Sequence, residues 1–175
     1  MPPRQRSSKG AGEDQQAGAS GTPAPLPDLP LSPYTNYVTA SGLQQLQARL
    51  DDARERLLGL DEADELERDY LARHIRWLQA RIDSAVVVAT RNRDLDRVAF
   101  GANVDLLEVD GTRLRLRIVG EDEADPDHGL LSWVSPLARA LDGARVGDRV
   151  RWRRADEERE VEVLGVDYDE AGARH

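Results

Sequence analysis

The sequence contains no cysteine, one methionine and one phenylalanine in 175 residues. Without cysteine there is no disulfide, no thiolate metal site and no cysteine nucleophile. No apolar run approaches the roughly 20 residues of a membrane span. The N-terminal residues hold no apolar segment that could serve as a secretory signal. A soluble, cytoplasmic, monomeric protein is expected, with no membrane partner. There is also no glycine-rich nucleotide loop, no zinc-ligand spacing and no Ser/His/Asp set that could be assembled. Positive charge is in deficit: the net charge is −9. The excess of acid falls on residues 37–85 and more heavily on 86–175, while the first 36 residues balance. Such a chain does not wrap duplex DNA through bulk attraction. Work near nucleic acid would need a protein partner to bring it there.

What the chain does have is a two-armed apolar seam from Ser41 to Asp83. Leu43, Leu46, Leu50, Ala53 and Leu57 recur at heptad spacing, and Leu71, Ile75, Leu78 and Ile82 do the same. The connection between the arms is short, which predicts an antiparallel helical hairpin. Thr39 is placed to cap the first arm, which should run to about Leu58, and Asp61 or Asp64 to cap the second. A pair this narrow buries too little surface to stand alone and needs a domain at its base.

The turn between the arms, Gly59 to Asp69, holds six carboxylates in eleven residues. Carboxylates in a first helical turn favour the helix dipole. That accounts for one or two of Asp61, Glu62, Asp64 and Glu65, but it does not require all of them. On or beside the second arm, His74 is expected to be partly exposed and Trp77 to pack at the base. Arg68, Arg73, Arg76 and Arg81 could track RNA phosphates or lie on solvated faces with partners such as Asp69.

Residues 1–33 are rich in Pro, Gly, Ser, Ala and Gln, and predict a disordered tail reaching to about residue 36. Its basic residues Arg4, Arg6 and Lys9 are expected to be solvated. From Val86 the periodicity changes to two. Strands are expected at Val86–Val88, Val104–Val109, Thr112–Val119, Leu130–Val134, Arg149–Arg153 and Glu160–Val166, with Asp110-Gly111 as a hairpin turn. Arg113, Arg115 and Arg117 should form the solvated face opposite Leu114, Leu116 and Ile118. Ser135-Pro136 opens a short helix that Gly143 ends. The expected organisation is a tail over 1–36, a hairpin over 37–85, a small α+β domain over 86–170 with a largely antiparallel sheet and one short helix, and a disordered end over 171–175.

Several stretches together resemble the bacterial GreA/GreB transcript-cleavage factor family. They are Phe100-Gly101-Ala102 with Val104, then Asp110-Gly111, then Arg117-Ile118-Val119-Gly120 with Asp122-Glu123-Ala124. Ser135-Pro136-Leu137-Ala138-Arg139-Ala140-Leu141 and Val146-Gly147-Asp148 follow in the family's order. Tyr37-Val38-Thr39-Ala40-Ser41-Gly42-Leu43 followed by Leu46 is similar to the start of its helical hairpin. The resemblance implies an N-terminal hairpin on an FKBP-like β domain. It implies an accessory factor for RNA polymerase, with no catalytic residues of its own. Such factors dock by the C-terminal domain at the rim of the polymerase secondary channel. On that basis Ser135, Pro136, Leu137, Ala138 and Arg139 are the expected docking residues, and nascent RNA is a possible neighbour of the tip. The tip carboxylates Asp61, Glu62, Asp64 and Glu65 would be directed at a catalytic Mg²⁺ shared with the polymerase, with Asp61 and Asp64 as its ligands here. Mg²⁺ is a hard cation that takes one or two carboxylates beside water and phosphate oxygens.

The chain departs from the family pattern at the tip, where no Asn stands. Each arm is roughly two turns short, about 12 Å by helix rise. Val134 stands where a polar residue is frequent. A non-cleaving occupant of the channel, resembling the regulators of nucleoside diphosphate kinase, is therefore a competing expectation. A prolyl isomerase of FKBP type is a distant one, since such a pocket needs an aromatic lining and this domain offers only Phe100, Trp133, Trp152 and Tyr168.

Overall fold

The structure, a computed structural model, describes residues 25–89 and 96–168. Strand β1 (Tyr37–Val38) leads into helix α1 (Ala40–Gly59). Helix α2 (Glu65–Asp83) returns antiparallel and ends at β2 (Val86–Val87). Thr39 caps α1 as expected, its hydroxyl accepting from the Gly42 N–H at 2.9 Å. The helix stops at Gly59, one residue beyond the expected end. Asp64 occupies the N-cap position of α2, yet neither it nor Asp61 caps through its side chain. The loop is held by backbone instead, with Asp64 N–H donating to the Asp61 carbonyl at 3.1 Å. The seam is as the heptad spacing predicts: Leu46, Leu50, Ala53, Leu71 and Leu78 are buried, with Leu43, Leu57, Ile75 and Ile82 packed around them.

The valine run at 86–88 does not join the main sheet. It pairs in parallel with β1, Tyr37 opposite Val86 and Val38 opposite Val87. Parallel strands need a long crossover connection, and here the whole helical hairpin is that crossover. The two ends of the hairpin are thereby clamped side by side.

The second body is a five-stranded sheet in the order β5-β4-β3-β7-β6. Its strands are β3 (Asn103–Glu108), β4 (Arg113–Val119), β5 (Leu130–Ser132), β6 (Arg149–Arg154) and β7 (Glu157–Asp167). Three of the pairings are antiparallel, but β5 runs parallel to β4. The sheet is thus largely antiparallel, as expected, with this one parallel pair: the acidic segment after β4 forms two short 3-10 turns, Glu121–Glu123 and Pro126–His128, which carry the chain over before it re-enters the sheet. Helix α3 (Pro136–Leu141) starts with Ser135 as its N-cap and Pro136 at its first position, as the sequence suggested. Leu106, Ile118, Leu137, Leu141 and Val163 form the core between α3 and the sheet.

The tail needs correction as well. Residues 1–24, with Arg4, Arg6 and Lys9, and residues 169–175, with the expected C-terminal end, lie outside the described residues. From residue 25 the chain is packed on the protein rather than disordered. Arg76 donates to Asp28 and to the Leu26 carbonyl, the Trp77 indole donates to the Pro30 carbonyl, and Asn36 is buried. Polar contacts to α2 supplement the few apolar side chains of this segment, of which Leu26 and Leu29 are half-buried.

Candidate functional site

The two bodies are joined by the turn Glu121-Asp122-Glu123. The Glu123 side chain, 9% exposed, reaches the N-terminus of α1. One carboxylate oxygen accepts from the Thr39 N–H at 3.0 Å and the Gly120 N–H at 3.2 Å, and the other accepts from the Thr39 hydroxyl. An anion at a helix N-terminus satisfies orphan donors and the dipole together. Gly42 makes room for it: a Cβ there would lie 2.0 Å from the Glu123 Cδ. Asp122 holds the end of the other arm. Arg81, 4% exposed, donates to Asp122 at 2.7 Å and to the Asn36 amide oxygen at 2.7 Å. Asn36 in turn donates to the Arg81 carbonyl at 2.7 Å. Two consecutive residues of the β domain, Asp122 and Glu123, thus grip the two ends of the hairpin.

This junction was not legible as such. Asp122, Glu123 and Gly42 belonged to the family-like stretches without a physical role, and Asn36 was assigned to the tail. Arg81 was grouped with arginines on the arm surface, and its burial removes it from any phosphate-tracking role. The signal available was a run of three carboxylates after a buried strand, Ile118 and Val119, which sequence periodicity cannot connect to a helix about 80 residues away.

Beside the junction lies a cavity of about 390 Å³ lined mainly by apolar groups, among them Tyr37, Phe100, Trp133 and Ala138, with Arg139 and Asp142 at its polar side. Trp133 packs edge-on to Tyr37 with ring centroids 5.0 Å apart, so it belongs to the domain junction. Of the expected docking residues, Pro136 and Arg139 are exposed and Ser135 is half-buried. Leu137 and Ala138 are buried, 7% and 3% exposed, so they shape the face from beneath. Their side chains face the core because one stripe of a helix laid on a sheet must pack against it.

The tip is built differently. Asp61, Glu62, Asp64 and Glu65 are all exposed. Arg68 turns back to donate to the Leu60 carbonyl at 3.1 Å, closing the loop without neutralising it. Leu58 and Leu66 flank it, 86% and 65% exposed. Among the described residues no three His, Cys, Asp or Glu converge on a point where a metal ion could sit. The donor set suits a metal held mainly by another molecule, to which one or two carboxylates are added.

Along α2, the Arg73 guanidinium lies 5.1 Å over the Tyr70 ring, and His74 stacks on Trp77. Partial burial of the His74 imidazole, with Arg49 and Arg56 adding to it, lowers its pKa below the ordinary value. On the sheet, Arg115 bridges Asp105 and Asp167 at 2.8 and 2.6 Å. Hydrogen bonds to Asp167 and then Asp105 raise its pKa. Arg113 and Arg115 are exposed, as the alternation predicted, whereas Arg117 is half-buried and departs from the solvated face expected of all three.

The family described as "Transcription elongation factor, GreA/GreB, C-term" matches residues 92–168. The transcription elongation factor GreB of Neisseria meningitidis serogroup A is 45% identical over 97 residues, which are 55% of this chain and 60% of that protein. The chain therefore spans less than two thirds of that relative. GreB of Xanthomonas axonopodis pv. citri is 34% identical over 159 residues, covering 79% of this chain and 95% of that protein. Among solved structures, GreA factor homolog 1 (Gfh1) of Thermus thermophilus aligns over 76% of this chain and 99% of its own at 25% identity, with a TM-score of 0.36. With the Xanthomonas relative matched along nearly its whole length, the chain belongs to the GreA/GreB family of transcription elongation factors.

Proposed function

We propose that this protein is a transcription elongation factor that binds RNA polymerase through the face around Pro136, Arg139 and the adjoining cavity, and projects its hairpin into the secondary channel. The observation that carries this reading is the junction. Glu123 and Arg81 are buried and hydrogen-bonded across the junction, so the hairpin leaves the docking domain at a fixed angle. A rigid rod with an exposed acidic end is what delivery of carboxylates into a narrow pore requires. The chain acts as an accessory, and any RNA cleavage is the polymerase's own reaction.

At that active site Mg²⁺, when bound, would stabilise the attacking and leaving oxygens of phosphodiester hydrolysis. Asp61 and Asp64 are the groups of this chain that would help to hold it. Their exposure leaves their lone pairs free for a ligand outside the chain. A second reading, a non-cleaving occupant of the channel, is favoured by the length of the arms. At 20 and 19 residues they extend about 30 Å, roughly two turns below expectation for a cleavage factor. Such a protein would compete with a cleavage factor for the channel and slow it.

The test is RNA shortening in backtracked elongation complexes over a Mg²⁺ titration, with wild type beside Asp61→Asn/Asp64→Asn. If the carboxylates serve the metal, the double substitution lowers cleavage at least about a hundredfold while polymerase binding holds. If the protein is the non-cleaving regulator, wild type gives no shortening at any Mg²⁺ concentration yet inhibits an added cleavage factor. Robust cleavage that survives the double substitution would defeat both. Docking is tested by Pro136→Ala/Arg139→Glu, which should weaken polymerase capture with a nearly unchanged melt.

A further inference from the structure

The segment before β1 crosses from the outer side of α2 to the docking face. It begins on the arm, where Arg76 pairs with Asp28 at 2.7 Å and takes the Leu26 carbonyl at 2.9 Å. The Trp77 indole donates to the Pro30 carbonyl at 3.3 Å, and the Ser32 hydroxyl donates to Glu121 at 2.9 Å. It ends at Tyr34. The Tyr34 ring stands edge-on to Trp133 at 6.2 Å, and the Arg139 guanidinium lies over that ring at 4.7 Å. Trp133 and Arg139 both line the cavity at the docking face. The strap therefore already occupies one of the aromatics, Trp133, and the cation Arg139 of the docking face.

We infer that residues 26–34 are an intramolecular cover for the polymerase-docking face, displaced when the polymerase binds; this rests on the docking reading above. Three observations fit a cover that comes off. Most of its contacts are exposed: Tyr34 and Leu31 keep about half their surface, 45% and 51%, and exposed ion pairs and cation–π contacts are individually weak. It forms no regular secondary structure, so no backbone ladder breaks on release. Pro25, Pro27, Pro30 and Pro33 limit its freedom when detached, so rebinding loses little entropy. Together these features set the covered and open forms near balance. The apparent affinity for a partner that needs the open form is then reduced by the open fraction.

The experiment measures binding of full-length protein to core RNA polymerase for wild type, Tyr34→Ala/Asp28→Ala and Arg139→Glu, and hydrogen exchange of peptides from residues 25–36 with and without polymerase. With a cover closed about five times in six, Tyr34→Ala/Asp28→Ala should bind about sixfold tighter than wild type. Exchange over 25–36 should become faster when polymerase is added. Equal or weaker binding by this variant, or slower exchange in the complex, overturns the cover and leaves docking intact, because Arg139→Glu still weakens binding. If wild type and Tyr34→Ala/Asp28→Ala both fail to bind, the docking reading itself is overturned, and the cover with it.

Discussion

Two acidic turns in this molecule have similar composition and opposite roles. At the base, Glu121-Asp122-Glu123 stands between β4 and β5. Asp122 and Glu123 lie in the interface, and each is matched to a donor: Glu123 to the α1 N-terminus, Asp122 to Arg81. At the tip, Asp61, Glu62, Asp64 and Glu65 are exposed. A carboxylate taken out of water needs partners, or it does not stay ionised there. Those at the base are therefore committed to holding the fold. Those at the tip contribute little to stability and remain available to something outside the chain. Charge alone does not identify a site; charge left without partners by a rigid scaffold is the more telling sign.

The largest effect that would break this contrast is at the base. Arg81→Ala strands Asp122 in the interface, and removing one partner of a buried pair costs about 3–5 kcal/mol. Urea unfolding should show that loss, and a change below about 1 kcal/mol would put Arg81 among the solvated arm residues. Next come the seam leucines. Leu50→Ala and Leu78→Ala should each lose about 2–5 kcal/mol. An isolated 41–83 peptide, deprived of the junction, should be mostly unfolded by circular dichroism; a cooperative helical melt would show that the base is dispensable.

Gly42→Ala sharpens the comparison by size alone. Its methyl group would sit on Glu123, and overpacking of this kind costs about 1–3 kcal/mol. Glu123→Ala in the Gly42→Ala background should add less than it does alone, because the two share one contact. At the tip, Asp61→Asn/Asp64→Asn should leave stability within about 0.5 kcal/mol of wild type, whatever it does to activity. A large loss there would make the tip a second structural cluster.

The smallest effect concerns His74. Its pKa is lower folded than unfolded, so the unfolded chain binds more protons between the two values. Stability is therefore at its full value above the ordinary histidine range and falls as the pH drops through the window below 6.5. The melting temperature of wild type should decline slightly more than that of His74→Gln between pH 7.5 and the acid side of that window. Parallel curves would show that the imidazole is unperturbed.

Local pattern was enough to determine the elements. The heptad leucines, Thr39, Asp110-Gly111 and Ser135-Pro136 state their structures within a few residues, because helix seams, caps and turns depend on neighbours three or four positions apart. The family stretches, read in order, were enough to indicate the two-body architecture, and the carboxylates between the two arms marked the acidic turn. Tertiary structure decided where those elements meet. It turned the valine run at 86–88 from a sheet strand into the clamp of the hairpin, and it drew Arg81 inward. It also laid a segment read as tail against α2, with Tyr34 on Trp133 and Arg139. Each of these depends on residues from about 40 to 105 positions apart along the chain coming into contact. Periodicity carries no information at that separation; only the folded chain brings those charges and rings together.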